Sequence, residues 1–313
     1  MKFWKQLYDE LLNGQNVALL YVHSSEGSSP GRQGFKMFVS SNGELQGSIG
    51  GGPMEFKLVE LSKSKLKEGH FPPLLQRQIH KSNIPKDKSG MICSGEQTVG
   101  IYYISYDQRE LIWSIVFDNA DKTLVMKNDG LHLEDKSIGQ KEFIRYQENE
   151  PNWTLEDDLT SANEIHIIGA GHVSLALSIL ANQLDFKVNV YDTREALNTL
   201  PSDSSITFTL VSDYAKIGDF ISSGENKYVV LMSFGFRTDK VALQPLLDKD
   251  FKYLGMMGSA EKTKTLISEL IEEGIDPQKL EHVHAPIGIQ ISSKTPMEIA
   301  VSIMAEIIRL KNA

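Results

Sequence analysis

Three glycine-containing segments and one cysteine are the residues of this chain whose types and spacing could do chemistry. The first is Gly169-Ala170-Gly171 in IHIIGAGHVSLAL, where an apolar run meets two glycines and enters a helical pattern. Glycine at 169 permits a tight turn, and glycine at 171 lets backbone approach a pyrophosphate. The helix beginning near His172 aims its first amides at that anion. Asp192 ends the next apolar run, about where an acidic residue accepts ribose hydroxyls. Arg194 beside it either pairs a phosphate or is a surface charge. Ser174 stands where the third glycine of GxGxxG would be.

The second segment, GSIGGGPMEF, sets Gly50, Gly51 and Gly52 before a helix start, where free amides and the helix dipole favour negative charge. The third, GSSPGR at 27–32, adds the hydroxyls of Ser28 and Ser29 and the guanidinium of Arg32. Together they read either as an anion site or as a tight β-to-α connection beside a solvent loop. Cys93, in GMICSGE, has the same two-sided reading. Its thiolate would bind a soft metal or carry persulfide sulfur; as a thiol it would be a small buried apolar residue. The histidines form no metal motif, because His282 and His284 alternate across a strand. There is no HExxH, CxxC or GxSxG.

These groups need elements to position them. Downstream of 163, apolar runs at 165–169, 188–192, 206–210, 228–232, 253–257 and 283–285 alternate with helical patterns. That alternation predicts right-handed crossovers and a doubly wound parallel sheet of Rossmann strand order. Ser259 starts one helix, and Thr295-Pro296-Met297-Glu298 offers an N-cap, a first-turn proline and a capping-box glutamate for another. Upstream, a helix is predicted over 3–12 and strands over 17–22, 35–39, 44–47, 98–105 and 111–116. Ser41-Asn42-Gly43 marks a hairpin, and a helix with Pro53 at its first position follows the glycines. The acidic, proline-broken stretch 145–163 reads as a connector. The expectation is an α+β domain over 1–150 and a Rossmann-like domain over 163–313.

Composition removes several classes of function. At 313 residues the chain is long for one domain, and 41% hydrophobic with 23% charged residues suits a full core. A net charge of −9 argues against a nucleic-acid binder, which needs clustered Lys and Arg. No apolar run approaches the roughly 18–20 residues of a membrane span, and no signal-peptide core follows Met1. A single cysteine cannot form an internal disulfide, which fits a reducing, cytoplasmic setting.

The segments EGSSPGRQGFKM, GSIGGGPMEFKLVE, MICSGEQ, IIGAGHVSLAL, YDTRE, YLGMMGSAEK and HAPIGIQISSKTPMEIAVSIMAEI together resemble the XdhC/CoxI family across nearly the whole chain. These are accessory proteins of xanthine dehydrogenase and related molybdenum hydroxylases. The resemblance implies a molybdenum-cofactor chaperone, not a catalyst. Such a protein would hold the molybdopterin, with or without a linked nucleotide, while a cysteine desulfurase supplies its terminal sulfur, and pass it to the apo-enzyme. It also implies a homodimer. Carried over by position, the cofactor-binding elements fall on Ser28, Ser29, Arg32, Gly50, Gly51, Gly52 and Glu55, with Cys93 as a contact to molybdenum or persulfide. The nucleotide elements fall on Gly169, Gly171, His172, Asp192 and Arg194. Two motifs differ from many relatives. Pro53 replaces a cysteine after the glycines, and Ser233–Asp239 replaces a T-H-D-H element. The rival readings are an NAD(P)-dependent oxidoreductase, with His172 or Tyr191 as its proton donor, and a nucleotide-binding module without turnover.

Overall fold

Strand β1 (Val17–Gly27) runs through the centre of an antiparallel sheet ordered β3 (Leu45–Gly47), β2 (Lys36–Ser40), β1, β5 (Gly95–Ile104), β4 (Leu74–Ile79). In this computed structural model the described residues are 2–79, 95–118, 122–136, 144–149, 151–159, 163–199 and 206–312. They fall into two compact units, Met1–Ser161 and Ala162–Ala313.

In the first unit, all of Val17, Ala18, Leu19, Leu20, Tyr21 and Val22 are fully buried. Successive strand side chains point to opposite faces, so an unbroken apolar run means that both faces are covered. Ala18, Leu20 and Val22 share a core with Leu58, Val59 and Leu66 of helix α2 (Gly52–Glu68). Val17, Leu19 and Tyr21 pack with helix α1 (Lys2–Leu12), through Trp4, Leu7 and Leu11, and with a second antiparallel sheet. That sheet is ordered β7 (Gly130–Glu134), β6 (Thr123–Lys127), β9 (Asn152–Asp158), β8 (Ile144–Asn149). The hairpin expected at Ser41-Asn42-Gly43 joins β2 to β3, with Val39 paired to Leu45.

Two expectations for this unit are corrected. Residues 111–116 form not a strand but part of helix α3 (Arg109–Phe117). Its Ile112 and Ile115, three apart, sit in the core shared with α1, and that packing overrides the β-leaning run Leu-Ile-Trp-Ser-Ile-Val. Nor is 145–163 a connector. Most of it is the pair β8 and β9, and the first unit extends to Ser161.

Between the two sheets lies a polar pocket of the core. Tyr21 Oη donates to Asp157 Oδ2 at 2.5 Å, and Trp153 Nε1 donates to Tyr102 Oη at 3.1 Å. His23 occupies a register shift in β1, with Nε2 at 3.0 Å from Tyr102 Oη. Burial lowers the His23 pKa to about 3, so the ring is neutral in the fold.

The second unit is a six-stranded parallel sheet. Its order is β12 (Ile206–Leu210), β11 (Lys187–Asp192), β10 (Glu164–Ile168), β13 (Gly224–Leu231), β14 (Phe251–Met256), β15 (Val283–His284). Numbered within the unit this is 3-2-1-4-5-6, the doubly wound Rossmann order expected from the sequence. Helices α4 (His172–Gln183) and α8 (Pro296–Lys311) cover one face. Helices α5 (Phe236–Leu243) and α6 (Ala260–Glu272) cover the other, and α7 (Pro277–Leu280) precedes β15. Ser259 caps α6, and the Thr295–Glu298 capping box starts α8.

The segment His284-Ala285-Pro286-Ile287-Gly288 is tied into this unit from α8. Glu306 Oε2 accepts from Gly288 N at 2.7 Å and from Tyr253 Oη at 2.6 Å, while His284 stacks on Tyr253 at 4.6 Å. The HAPIG segment therefore does structural duty.

Candidate functional site

The chain leaves β10 for α4 on one face and β13 for α5 on the other, although the two strands are neighbours. This reversal opens a crevice at the carboxyl ends of the strands, where ligands bind in sheets of this order. The Gly169–Gly171 turn lies at that crevice. Gly169 has φ +101°, and a Cβ there would lie 2.5 Å from the Met232 carbonyl oxygen and 2.7 Å from Ser233 Cα. The first glycine is thus required by the fold, because the turn packs directly on the loop after β13.

Gly171 differs. A Cβ built on it meets nothing within 4 Å, so its small size is not needed by the protein. It is the N-cap of α4, with φ −89°, and no side chain caps the helix. The free amides of the first turn and the open space above them are what an approaching anion uses. His172, the first residue of α4, is exposed. Gly235, the N-cap of α5, also has no side-chain cap.

Asp192 is only 1% exposed and its bonds lie within the chain. Oδ2 accepts from Ala170 N at 2.7 Å and from Arg194 Nη2 at 2.8 Å; Oδ1 accepts from Arg194 N at 3.0 Å and Nε at 2.8 Å. Burial opposes ionisation, but Arg194 and the two amides outweigh it and hold the carboxyl below its ordinary range. Asp192 therefore buckles the Gly169–Gly171 turn to the end of β11. Arg194, 47% exposed, caps that buckle from the solvent side.

The glycines of the first unit form a separate assembly. Glu55, from the first turn of α2, turns back into its own loop. Its Oε2 accepts from Ser48 Oγ at 2.7 Å, Ile49 N at 2.8 Å and Gly51 N at 3.0 Å. Gly51 has φ +75° and ψ −173°, a conformation open essentially to glycine alone. A Cβ on Gly50 would lie 2.5 Å from Gly31 N, so the two loops are in direct contact.

Buried Gln97 on β5 joins these loops. Its Oε1 accepts from Ser29 Oγ at 2.7 Å and Gly31 N at 3.1 Å, and its Nε2 donates to Ile49 O at 3.2 Å. Ser28 and Arg32 are exposed, and Arg32 Nη1 donates to Gly27 O at 3.1 Å. Phe56 stands 66% exposed on the same helix as Glu55. The structure thus brings Ser28–Arg32, Gly50–Gly52 and Glu55 together as the sequence suggested. The anion on the loop amides, however, is the chain's own carboxylate. Cys93 and Ser94 lie outside the described residues. Among the described residues no cluster of His, Cys, Asp or Glu could hold a metal.

Sequence reasoning passed over Gln97, although GEQ closes one of its motifs. It gave no role to Lys262 at the second unit's crevice, and noted Phe234 and Asp239 only within the segment that replaces a T-H-D-H element. Ser233 N and Oγ both donate to Asp239 Oδ1, at 2.9 and 2.6 Å, which fixes the loop after β13. Burial pushes the Asp239 carboxyl up, against the opposing effect of those bonds.

The fold and the open crevice define a Rossmann-type α/β protein with an N-terminal α+β unit. Residues 165–307 match the family model for the XdhC Rossmann domain, and residues 11–77 match that of the XdhC and CoxI family. The chain belongs to the XdhC/CoxI family. It is 26% identical over 296 residues to the uncharacterized protein YqeB of Escherichia coli, covering 94% of this chain but 43% of YqeB. It is 24% identical over 338 residues to a Bacillus subtilis protein described as a probable xanthine dehydrogenase subunit, covering 97% of this chain and 96% of that one. A crystal structure from Bacillus halodurans described as a xanthine dehydrogenase shares the fold. Its TM-score is 0.73 at 20% identity, with 99% of this chain and 96% of that one covered. No helix among the described residues is long and apolar enough to cross a membrane.

Proposed function

We propose that this protein is a cytoplasmic, homodimeric accessory factor that binds the molybdenum cofactor for xanthine dehydrogenase or a related molybdenum hydroxylase. In this reading it holds the cofactor during sulfuration by a cysteine desulfurase and delivers it to the apo-enzyme. The observation that carries the reading is the open Gly171 turn. It couples uncapped helix amides to empty space in a chain of the XdhC/CoxI family.

The residues suit the group. The cofactor carries a phosphate, with or without a linked nucleotide, and the α4 amides are donors without side-chain competitors. Asp192 and Arg194 keep the turn rigid, so little ordering is left for the moment of binding. His172 stands exposed at the start of the same helix. When bound, the cofactor supplies the molybdenum centre that the hydroxylase uses; the chain's part is to bind, orient and shield. Cys93 is the residue suited to a soft contact.

A nicotinamide dehydrogenase would require Asp192 to accept ribose hydroxyls, yet both its oxygens are committed to Ala170 and Arg194. Incubation with molybdenum cofactor, then with apo-xanthine dehydrogenase, tests the proposal. Retention of the cofactor and increased activation are expected, with weaker retention by Cys93→Ala. No retention by the unmodified protein, or tight NAD(P) binding in its place, would overturn the reading.

A further inference from the structure

Beyond the Gly169 turn, the carboxyl ends of β13 and β14 border a cleft of about 220 Å³. It begins at Ser233, against which Gly169 packs, so the phosphate turn and the cleft share a wall. Its lining combines two kinds of group. Phe234, Phe236 and Met257 are flat or polarisable apolar surfaces; Lys262, Ser259 and Asp239 are charged or polar, and Asp239 Oδ1 is engaged by Ser233. Phe234 is 93% exposed, the most exposed large hydrophobic side chain among the described residues. Its loop is not slack, since Asp239 fixes Ser233 and Thr238 Oγ1 donates to Gly235 O at 2.7 Å. Lys262 has no ion-pair partner among the described residues.

A phenyl ring held in water by a bonded loop, beside a lysine without an ion-pair partner, is a platform for a planar ring that carries an anion. Met257 in the same lining offers a polarisable sulfur to such a ring. We propose that this cleft is the ring subsite of the crevice. It takes a fused heteroaromatic ring with an attached anionic group, a pterin, stacked on Phe234 with the anion toward Lys262. The inference rests on the accessory-factor reading and adds which end of the ligand lies over β13 and β14.

The test is titration of the full chain into 6-carboxypterin, a fluorescent pterin with one carboxylate, read as quenching of its emission. Saturable quenching is expected for the unmodified protein. Phe234→Ala should weaken binding about tenfold and Phe234→Tyr should restore it, the usual scale for a lost stacking partner. Lys262→Met should weaken binding roughly fivefold and flatten its salt dependence. Melting curves check that each variant is folded. No saturable quenching, or equal affinities across the variants, overturns the subsite. Cofactor retention separates the two ideas. A Phe234→Ala protein that keeps the molybdenum cofactor as well as the unmodified chain does sinks the subsite and spares the accessory role. Pterin binding that depends on Phe234 without any cofactor retention does the reverse.

Discussion

The two glycine loops of this protein begin alike and end differently. Each precedes a helix and uses positive φ angles at glycine. Around Gly50–Gly52 the loop amides are occupied by Glu55, which arrives four residues after Gly51 on the same helix. Around Gly169–Gly171 the carboxylate, Asp192, comes from a neighbouring strand and takes, of that loop's amides, only the one of Ala170. The α4 amides beyond it have no side-chain cap. A glycine-rich approach to a helix is therefore an anion site only when no acid of the chain has already filled it. One loop is a closed buckle; the other is a buckle with an open end.

Substitutions can break that contrast. Gly169→Ala should have the largest effect, costing about 3 kcal/mol or more, because strain at positive φ adds to collision with the Met232 carbonyl. A melting temperature within about two degrees of the parent would contradict the packing described. Asp192→Ala should follow at about 1–3 kcal/mol, since it strands the Ala170 amide and the Arg194 guanidinium. Its pH behaviour has a definite sign. The folded carboxyl is held below its ordinary range, so its stabilisation is present above about pH 4 and fades as pH falls through the folded pKa. Asp192→Asn should accordingly flatten the acid limb of the stability curve, and an unchanged limb would count against the buckle.

Glu55→Ala should cost about 1–2 kcal/mol, because its partners are partly open to water and can be resolvated. Equal melting of Glu55→Ala and the parent would mean that the closed buckle adds nothing. Gly171→Ala is the smallest change for the fold, near zero, since the new methyl group enters open space at an ordinary φ. It should still impair cofactor retention. A variant that is less stable yet binds normally would reverse the roles assigned to the two glycines.

Much of the second unit was legible in the sequence. Strands β10, β13 and β14 end in consecutive buried residues and read as apolar runs, and Ser259 and Thr295 announce their helices through capping. The first unit was less legible. Strands β8 and β9 carry Arg145, Glu148, Glu156 and Asp157 among few apolar residues, so charge hid their pairing. The run at 111–116 had β-leaning residues, and only its packing on α1 makes it helical. In the site, glycines and acids were visible, but which acid closes which loop was not. Glu55 bonds four residues back along the chain and Asp192 twenty-two residues back. The Phe234–Lys262 cleft joins residues that only the β13–β14 pairing brings together.

Glu306 has a consequence for how the protein avoids stray pairing along the edge of its parallel sheet. Strand β15 is two residues long and pairs with β14 only through Leu254–Val283 and Gly255–His284. So short a strand leaves little template for a stray chain, and sheet edges are where unwanted pairing starts. What keeps it there is the Glu306 grip on Gly288 and Tyr253. Loss of that grip, as in Glu306→Ala, should bare the β14 edge before the unit unfolds. The expected failure is turbidity that rises with protein concentration, at temperatures where the parent stays clear. Clear solutions up to the melting point would show that the edge is guarded by something else.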